Sequence, residues 1–200
     1  ASAPILGETA SINAFALGAQ MTNPRAQIEL KWTCVPGTSQ AGFFADGIRI
    51  VSNKEAPTES KMFLDFCSYG TYLMDDNATL IPLGTPLWGW GQFYEYAIKT
   101  ILSGGMQKEK GSGTALNYWF GLDSGVIDLE LSRKIPAGIR QLAKILCHSM
   151  ITGDLDPFHR RIVSQDGVVR NDGGKYFTMD EILHMDWLCD NVLGQIPPYE

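Results

Sequence analysis

The sequence predicts an α/β domain built on a mostly parallel sheet with helices on both faces. Three observations carry that expectation. Strand-like and helix-like segments alternate along the first half of the chain, an order that favours parallel strands covered on both sides. The helical segments are amphipathic and the strand segments are short and apolar. The 200 residues are 44% hydrophobic and 19% charged, an ordinary globular composition with enough apolar side chains for a core.

Taken in order, a helix is expected over residues 10–22, where Ile12, Phe15, Ala16 and Ala19 share a face and Asn23-Pro24 ends it. "QIELKWT" follows as a half-buried strand, with Ile28, Leu30 and Trp32 alternating with polar residues. A short helix around "SQAGFFADG" leads to the apolar strand "IRIVS", and "KMFLDFCSYG" reads as another strand. Residues 87–103 are expected to be helical, with Trp90, Phe93, Tyr94, Ala97, Ile98 and Ile101 at helical spacing and Gly104-Gly105 as the stop. "QKEKGSGT" reads as a charged surface loop and "VIDLEL" as a strand. Pro136 opens a helix whose apolar face is Ile139, Leu142, Ala143, Leu146 and Met150, closed by Gly153. "SQDGVVRNDGG" is a hairpin, because Asp-Gly supplies the positive φ of a tight turn. A final helix opens at Thr178 with Glu181 three residues on, the spacing of a capping box, and is expected to run to Gly194, with "QIPPYE" as a tail.

Several function classes are disfavoured. A formal net charge of -6 argues against nucleic acid, whose phosphates need clustered Lys and Arg. No run of about 18 apolar residues occurs, so no transmembrane helix is expected. The chain opens on "ASAPILGETA" without Met, the start expected of a processed terminus or of a piece of a longer protein. Cys34, Cys67, Cys147 and Cys189 are too scattered for a disulfide framework or a zinc site, and are expected to be buried free thiols. That usage leans toward a reducing compartment.

Catalytic and cofactor chemistry finds little support. His148, His159 and His184 stand at no metal-ligand spacing and read as surface or turn residues. "GDLDP" lacks the Gly and distal Glu of a calcium loop, and "GSGT" lacks the Lys of a phosphate loop. There is no G-x-S-x-G, and Asp75-Asp76 beside Asn77 reads as a turn. A non-catalytic protein without cofactor or metal is therefore expected. What remains is aromatic: Trp88, Trp90, Phe93, Tyr94, Tyr118, Trp119 and Phe120 fall in two short segments, either as core or as the wall of a site for a flat ligand.

Five blocks carry a family resemblance: "SINAFALGAQMTNPRAQIELKW" at 11–32, "PLWGWGQFYEYAIKTILSG" at 86–104, "NYWFGLDSGVIDL" at 117–129, "GDLDPFHRRIVSQDGVVR" at 153–170 and "MDEILHMDWLCDNVLGQIP" at 179–197. In that order they resemble the basic-membrane-protein (Bmp) group of ABC-importer substrate-binding proteins, similar to purine-nucleoside-binding lipoproteins. The resemblance implies a type I periplasmic-binding-protein fold, of which residues 1–200 form one domain: the second lobe plus the segments crossing to a first lobe upstream. It implies hinge closure on a small ligand, an ABC permease as partner, and an extracytoplasmic, membrane-anchored location. The scattered cysteines instead fit a cytoplasmic ligand-sensing domain of a larger regulatory protein, and the two alternatives stay open.

Departures from the family pattern shape the ligand expectation. Ser68 and Tyr69 stand where nucleoside binders carry an acidic element for the ribose hydroxyls, no aromatic residue follows Trp32 in "TCVPG", and Trp88 replaces a family Lys. A free purine base or another flat, less polar molecule fits these substitutions. In the family fold "LWGWG" begins a helix near the hinge, where Gly89 and Gly91 would allow close approach of ligand and Trp88 or Trp90 would stack on it. Tyr69, Asn53 and Lys54 are further ligand-binding candidates, at strand C-terminal ends where open α/β sheets bind ligands.

Overall fold

The computed structural model describes residues 1, 3–36, 47–53, 70–76, 79–103 and 119–198. The expected helix at 39–47, most of the expected strand at 61–70, the 107–114 loop, Cys67, Lys54 and Tyr69 therefore lie wholly or largely outside the described residues. In chain order the elements are α1 (Glu8–Thr22), β1 (Ile28–Glu29), β2 (Ile50–Asn53), β3 (Gly70–Met74), β4 (Leu80–Trp88), α2 (Trp90–Leu102), a 3-10 turn (Leu122–Ser124), β5 (Ile127–Leu131), α3 (Ala137–Ile151), β6 (Arg161–Val163), β7 (Val169–Asp172), α4 (Met179–Leu183) and β8 (Val192–Leu193). The chain is thus mixed α/β. Among the described residues no helix is long and apolar enough to cross a membrane.

The sheet is not the parallel one expected. The four strands β2-β3-β4-β5 are antiparallel throughout, as is the β6–β7 hairpin, and among the described residues only the short β1–β8 pair is parallel. Part of the reason is local. Between β3 and β4 the chain reverses at Asp75-Asp76, where the Asp75 carboxylate accepts from Thr79 N–H at 2.8 Å, far too short a link for a parallel crossover. That turn was expected from sequence; the strand after it was not, because Pro82 and Pro86 argue against a strand interior. Among the described residues both prolines sit where β4 has one neighbour. Pro82 pairs with Tyr72 beyond the end of β5, and Pro86 pairs with Leu129 beyond the end of β3. β4 then runs through Leu87 and Trp88, so α2 begins at Trp90 rather than at residue 87.

The main core joins the two ends of the chain. Ala10, Ile12, Ala16 and Leu17 of α1 pack with Trp32, Phe158, Ile162, Met185, Leu188, Cys189 and Val192. Burying each of the larger of these side chains contributes about 1.5–3 kcal/mol. The capping box forms as expected: Thr178 Oγ1 accepts from Glu181 N–H at 3.3 Å, and the Glu181 carboxylate accepts from Thr178 N–H at 2.9 Å. α4 nevertheless stops at Leu183 instead of reaching Gly194. Asn13, fully buried on α1, takes over the main chain downstream: its amide donates to Trp187 O at 2.8 Å and its carbonyl accepts from Cys189 N–H at 2.9 Å. Asn191 donates to Ala16 O at 3.0 Å, and β8 pairs with β1, so the segment is held extended across α1.

α2 and α3 have the predicted apolar faces, but neither contributes a buried residue. Trp90, Tyr94 and Ile98 on α2 and Ile139, Leu142 and Ile145 on α3 are exposed. Periodicity identifies the apolar side of a helix and says nothing about what lies against it. The cysteines divide similarly. Cys189 is buried and Cys147 half-buried, whereas Cys34 is exposed, against the expectation for it.

Candidate functional site

A cleft of about 530 Å³ opens between α1, β1 and β2. Glu8, Ser11, Ile12 and Phe15 recur every three or four residues along α1 and so form one wall. The chain from Gln27 to Lys31 forms the second wall, and Ile50 to Ser52, with Gly70, Thr71 and Pro86, forms the third. Consecutive residues of one strand can all border a cavity only if the strand turns its edge to it, since alternate side chains point to opposite faces. β1 and β2 both do so. Among the described residues β2 is the outer strand of its sheet and β1 has β8 on one side only.

The hydrogen bonds confirm the direction of those edges. Ile28 N–H donates to Asn191 O at 2.9 Å and Leu30 N–H to Leu193 O at 2.8 Å, which leaves the Glu29 N–H and C=O pointing away from β8. Met74 N–H donates to Arg49 O at 2.7 Å, so Arg49, Val51 and Asn53 face β3 while Ile50 and Ser52 present their main-chain groups to the other side.

Several of the polar side chains around the cleft have partners within the fold. Lys31 Nζ lies 3.0 Å from the Glu29 carboxylate, Thr71 Oγ1 donates to Ser52 Oγ at 3.3 Å, and Ser11 Oγ donates to Gly7 O at 3.2 Å. Glu8 is buried at the wall. Among the described lining residues Phe15 is the one aromatic side chain, and it is 39% exposed. Sequence reasoning placed Phe15 on an apolar helix face but did not single it out; its signal was its place one turn beyond Ser11 on the face opposite Asn13 and Leu17. This arrangement can cover a small ligand with apolar side chains and orient it with polar groups.

The residues predicted from sequence fall in different places. Asn53 ends β2, next to Ser52 and paired with Gly70, both of which border the cleft. Trp88 ends β4, two residues beyond Pro86, and is 43% exposed. Trp90 opens α2 at 57% exposure, its ring 6.0 Å from Phe93 at 88°, and Phe93 in turn meets Phe120 at 6.0 Å. Phe120 borders a second cavity of about 390 Å³, with Trp119, Phe158 and Leu183, on the other side of the α1 N-terminus. The described lining of the main cleft thus takes Pro86, but neither tryptophan, from the "PLWGW" stretch.

Gly89 stands between the tryptophans for a reason internal to the fold. Its N–H donates to Val126 O at 2.7 Å, and a Cβ there would lie 2.8 Å from Gly125 O. The close approach is to the chain itself, whereas a Cβ at Gly91 would meet no described atom beyond its own helix within 4 Å.

The histidines are ordinary. His159 stacks on Tyr176 with centroids 3.7 Å apart, and His184 Nδ1 lies 2.9 Å from Asp180 O. Among the described residues no cluster of His, Cys, Asp and Glu has the arrangement of a metal site. Burial pushes the Cys189 thiol up to about 12, with the Asp190 charge adding to it, and burial also raises Cys147.

No family model matches the chain. Over 211 aligned residues, covering 98% of the chain, it is 22% identical to a purine-binding protein of Brucella abortus. Over 139 residues, 63% of the chain, it is 27% identical to a protein of Haloferax volcanii named as a candidate ABC transporter glucose-binding protein. The chain covers 57% of the first relative's length and 33% of the second's. Both names are those of binding proteins and neither is that of an enzyme.

Proposed function

We propose that this chain is a non-catalytic solute-binding domain of the type that serves ABC importers, holding a small flat ligand in the cleft between α1, β1 and β2. The observation that carries the reading is the cleft itself. Its volume of about 530 Å³ lies within the range of roughly 300–1,000 Å³ usual for small-molecule sites, and its lining is largely apolar with a few polar groups. The similarity to a purine-binding protein adds the ligand class: a purine base or nucleoside.

In this reading the domain is one lobe of a type I periplasmic-binding-protein fold of the Bmp kind, closing on its ligand about a hinge and delivering it to an ABC permease. Phe15 offers the stacking face, with Trp88, Trp90, Tyr69, Asn53 and Lys54 as further contacts. Trp88 shares a face of β4 with the cleft-lining Pro86, and Asn53 continues the strand of Ser52. A second reading, a ligand-sensing domain of a cytoplasmic regulator, is favoured by the free thiols of Cys34, Cys147 and Cys189. Fractionation of the native host separates the two by where the protein is found.

The test of binding is a thermal-shift screen of the purified protein against purine bases, nucleosides and glucose, followed by calorimetry. Ligand at about 100 times its Kd stabilises by about 2.7 kcal/mol, a readily measured rise in Tm. A rise with purines supports the proposal. A rise with glucose alone replaces the ligand class, and no rise across the panel refutes binding of either kind.

A further inference from the structure

We infer that the cleft reads the edge of its ligand with main-chain groups, those of Glu29 on β1 and of Ile50 and Ser52 on β2. The inference rests on the reading of the cleft as a purine site and names what would recognise the purine there. The three residues border the cleft, and the ladder geometry turns their N–H and C=O groups toward it and away from β8 and β3. Among the described residues no main-chain partner meets these groups. Of the side chains on these three residues, the Glu29 carboxylate is paired with Lys31 and the Ser52 hydroxyl accepts from Thr71.

A strand edge alternates donors and acceptors at fixed spacing, and main-chain N–H and C=O groups have to be satisfied once water is excluded. The matching ligand is a planar heterocycle whose rim places a ring N–H beside a carbonyl or ring-nitrogen acceptor, as in an oxopurine. A hexose presents hydroxyls all round its ring and no such flat rim. Two strand edges facing one cleft therefore favour the heterocycle, with selectivity set by the backbone rather than by replaceable side chains. Gln27, which also borders the cleft, is a side chain that could do the same work.

The experiment is calorimetry of the purified protein with hypoxanthine and with its 1-methyl and 9-methyl derivatives, repeated on Ser52→Ala, Ser52→Pro and Gln27→Ala. Losing one hydrogen bond to the ligand weakens binding about tenfold, so at least one methyl derivative is expected to bind about tenfold or more weakly. That discrimination is expected to persist in Ser52→Ala and Gln27→Ala. Ser52→Pro removes an N–H that the sheet does not use, a position where an edge strand tolerates proline, and is expected to bind about tenfold more weakly than Ser52→Ala. If Ser52→Pro fails to fold, the methyl series on the other proteins decides. Loss of discrimination in Gln27→Ala or Ser52→Ala, or equal binding of all three ligands, overturns the inference while leaving a purine site in place. No binding of any purine overturns the proposed function, and the inference with it.

Discussion

Replacing Asn13 by Ala tests the tie that holds the two ends of the chain together. Asn13 is fully buried and makes two hydrogen bonds to main chain, donating to Trp187 O at 2.8 Å and accepting from Cys189 N–H at 2.9 Å. Alanine removes both and leaves a carbonyl and an N–H in the interior beside Leu188 and Cys189, which are 3% and 1% exposed. Each stranded group costs about 1–3 kcal/mol, and partial relaxation keeps the sum nearer the middle, giving a loss of about 3–5 kcal/mol. For a domain of this size that lowers Tm by about 6–20 °C. Urea unfolding followed by far-UV circular dichroism measures the loss, and hydrogen exchange of the amides from 185 to 193 locates it. A loss below about 1 kcal/mol, or protection of that segment unchanged, would refute the claim that Asn13 ends α4 and fixes the path into β8.

The remaining predictions are smaller in scale. Phe15→Ala and Trp88→Ala should each weaken ligand binding while costing less than about 1.5 kcal/mol of stability, because both rings are already partly exposed; a loss of about 3–5 kcal/mol would mark either as core instead. Glu181 is held down to about 2 from an ordinary 4.5, first by its hydrogen bond with Lys175 and then by Thr178 N–H. A depressed carboxylate contributes stability above its unfolded pKa and loses it as pH falls from about 4.5 toward 2. Glu181→Gln should therefore lower Tm at pH 7 and converge with the parent protein in that acid window; parallel Tm–pH curves would contradict this. With its thiol near 12, Cys189 should resist a disulfide reagent at pH 8 while exposed Cys34 reacts, as read by mass mapping; equal labelling rates would disprove the burial argument.

The parts of the molecule legible in the sequence are those whose causes lie within a few residues. α1 and α3 follow from apolar residues at helical period, and the β6–β7 hairpin from Asp166-Gly167, where Gly167 takes φ 80 and donates to Ser164 O at 2.8 Å. The start of α4 follows from Thr178 and Glu181. A likeness to solute-binding proteins was legible too, from the family resemblance, and the two relatives carry names of that kind.

What only the tertiary structure decided depends on partners far away in the chain. The prolines of β4 hid a central strand because their tolerance rests on where β3 and β5 stop. The end of α4 depends on Asn13, 176 residues from Cys189. The cleft depends on which strand edges are left facing it, and an edge is defined by the neighbour a strand lacks, which no local pattern encodes. For that reason the sequence pointed to its tryptophans, while the fold drew Phe15, Glu29, Ile50 and Ser52 around one space.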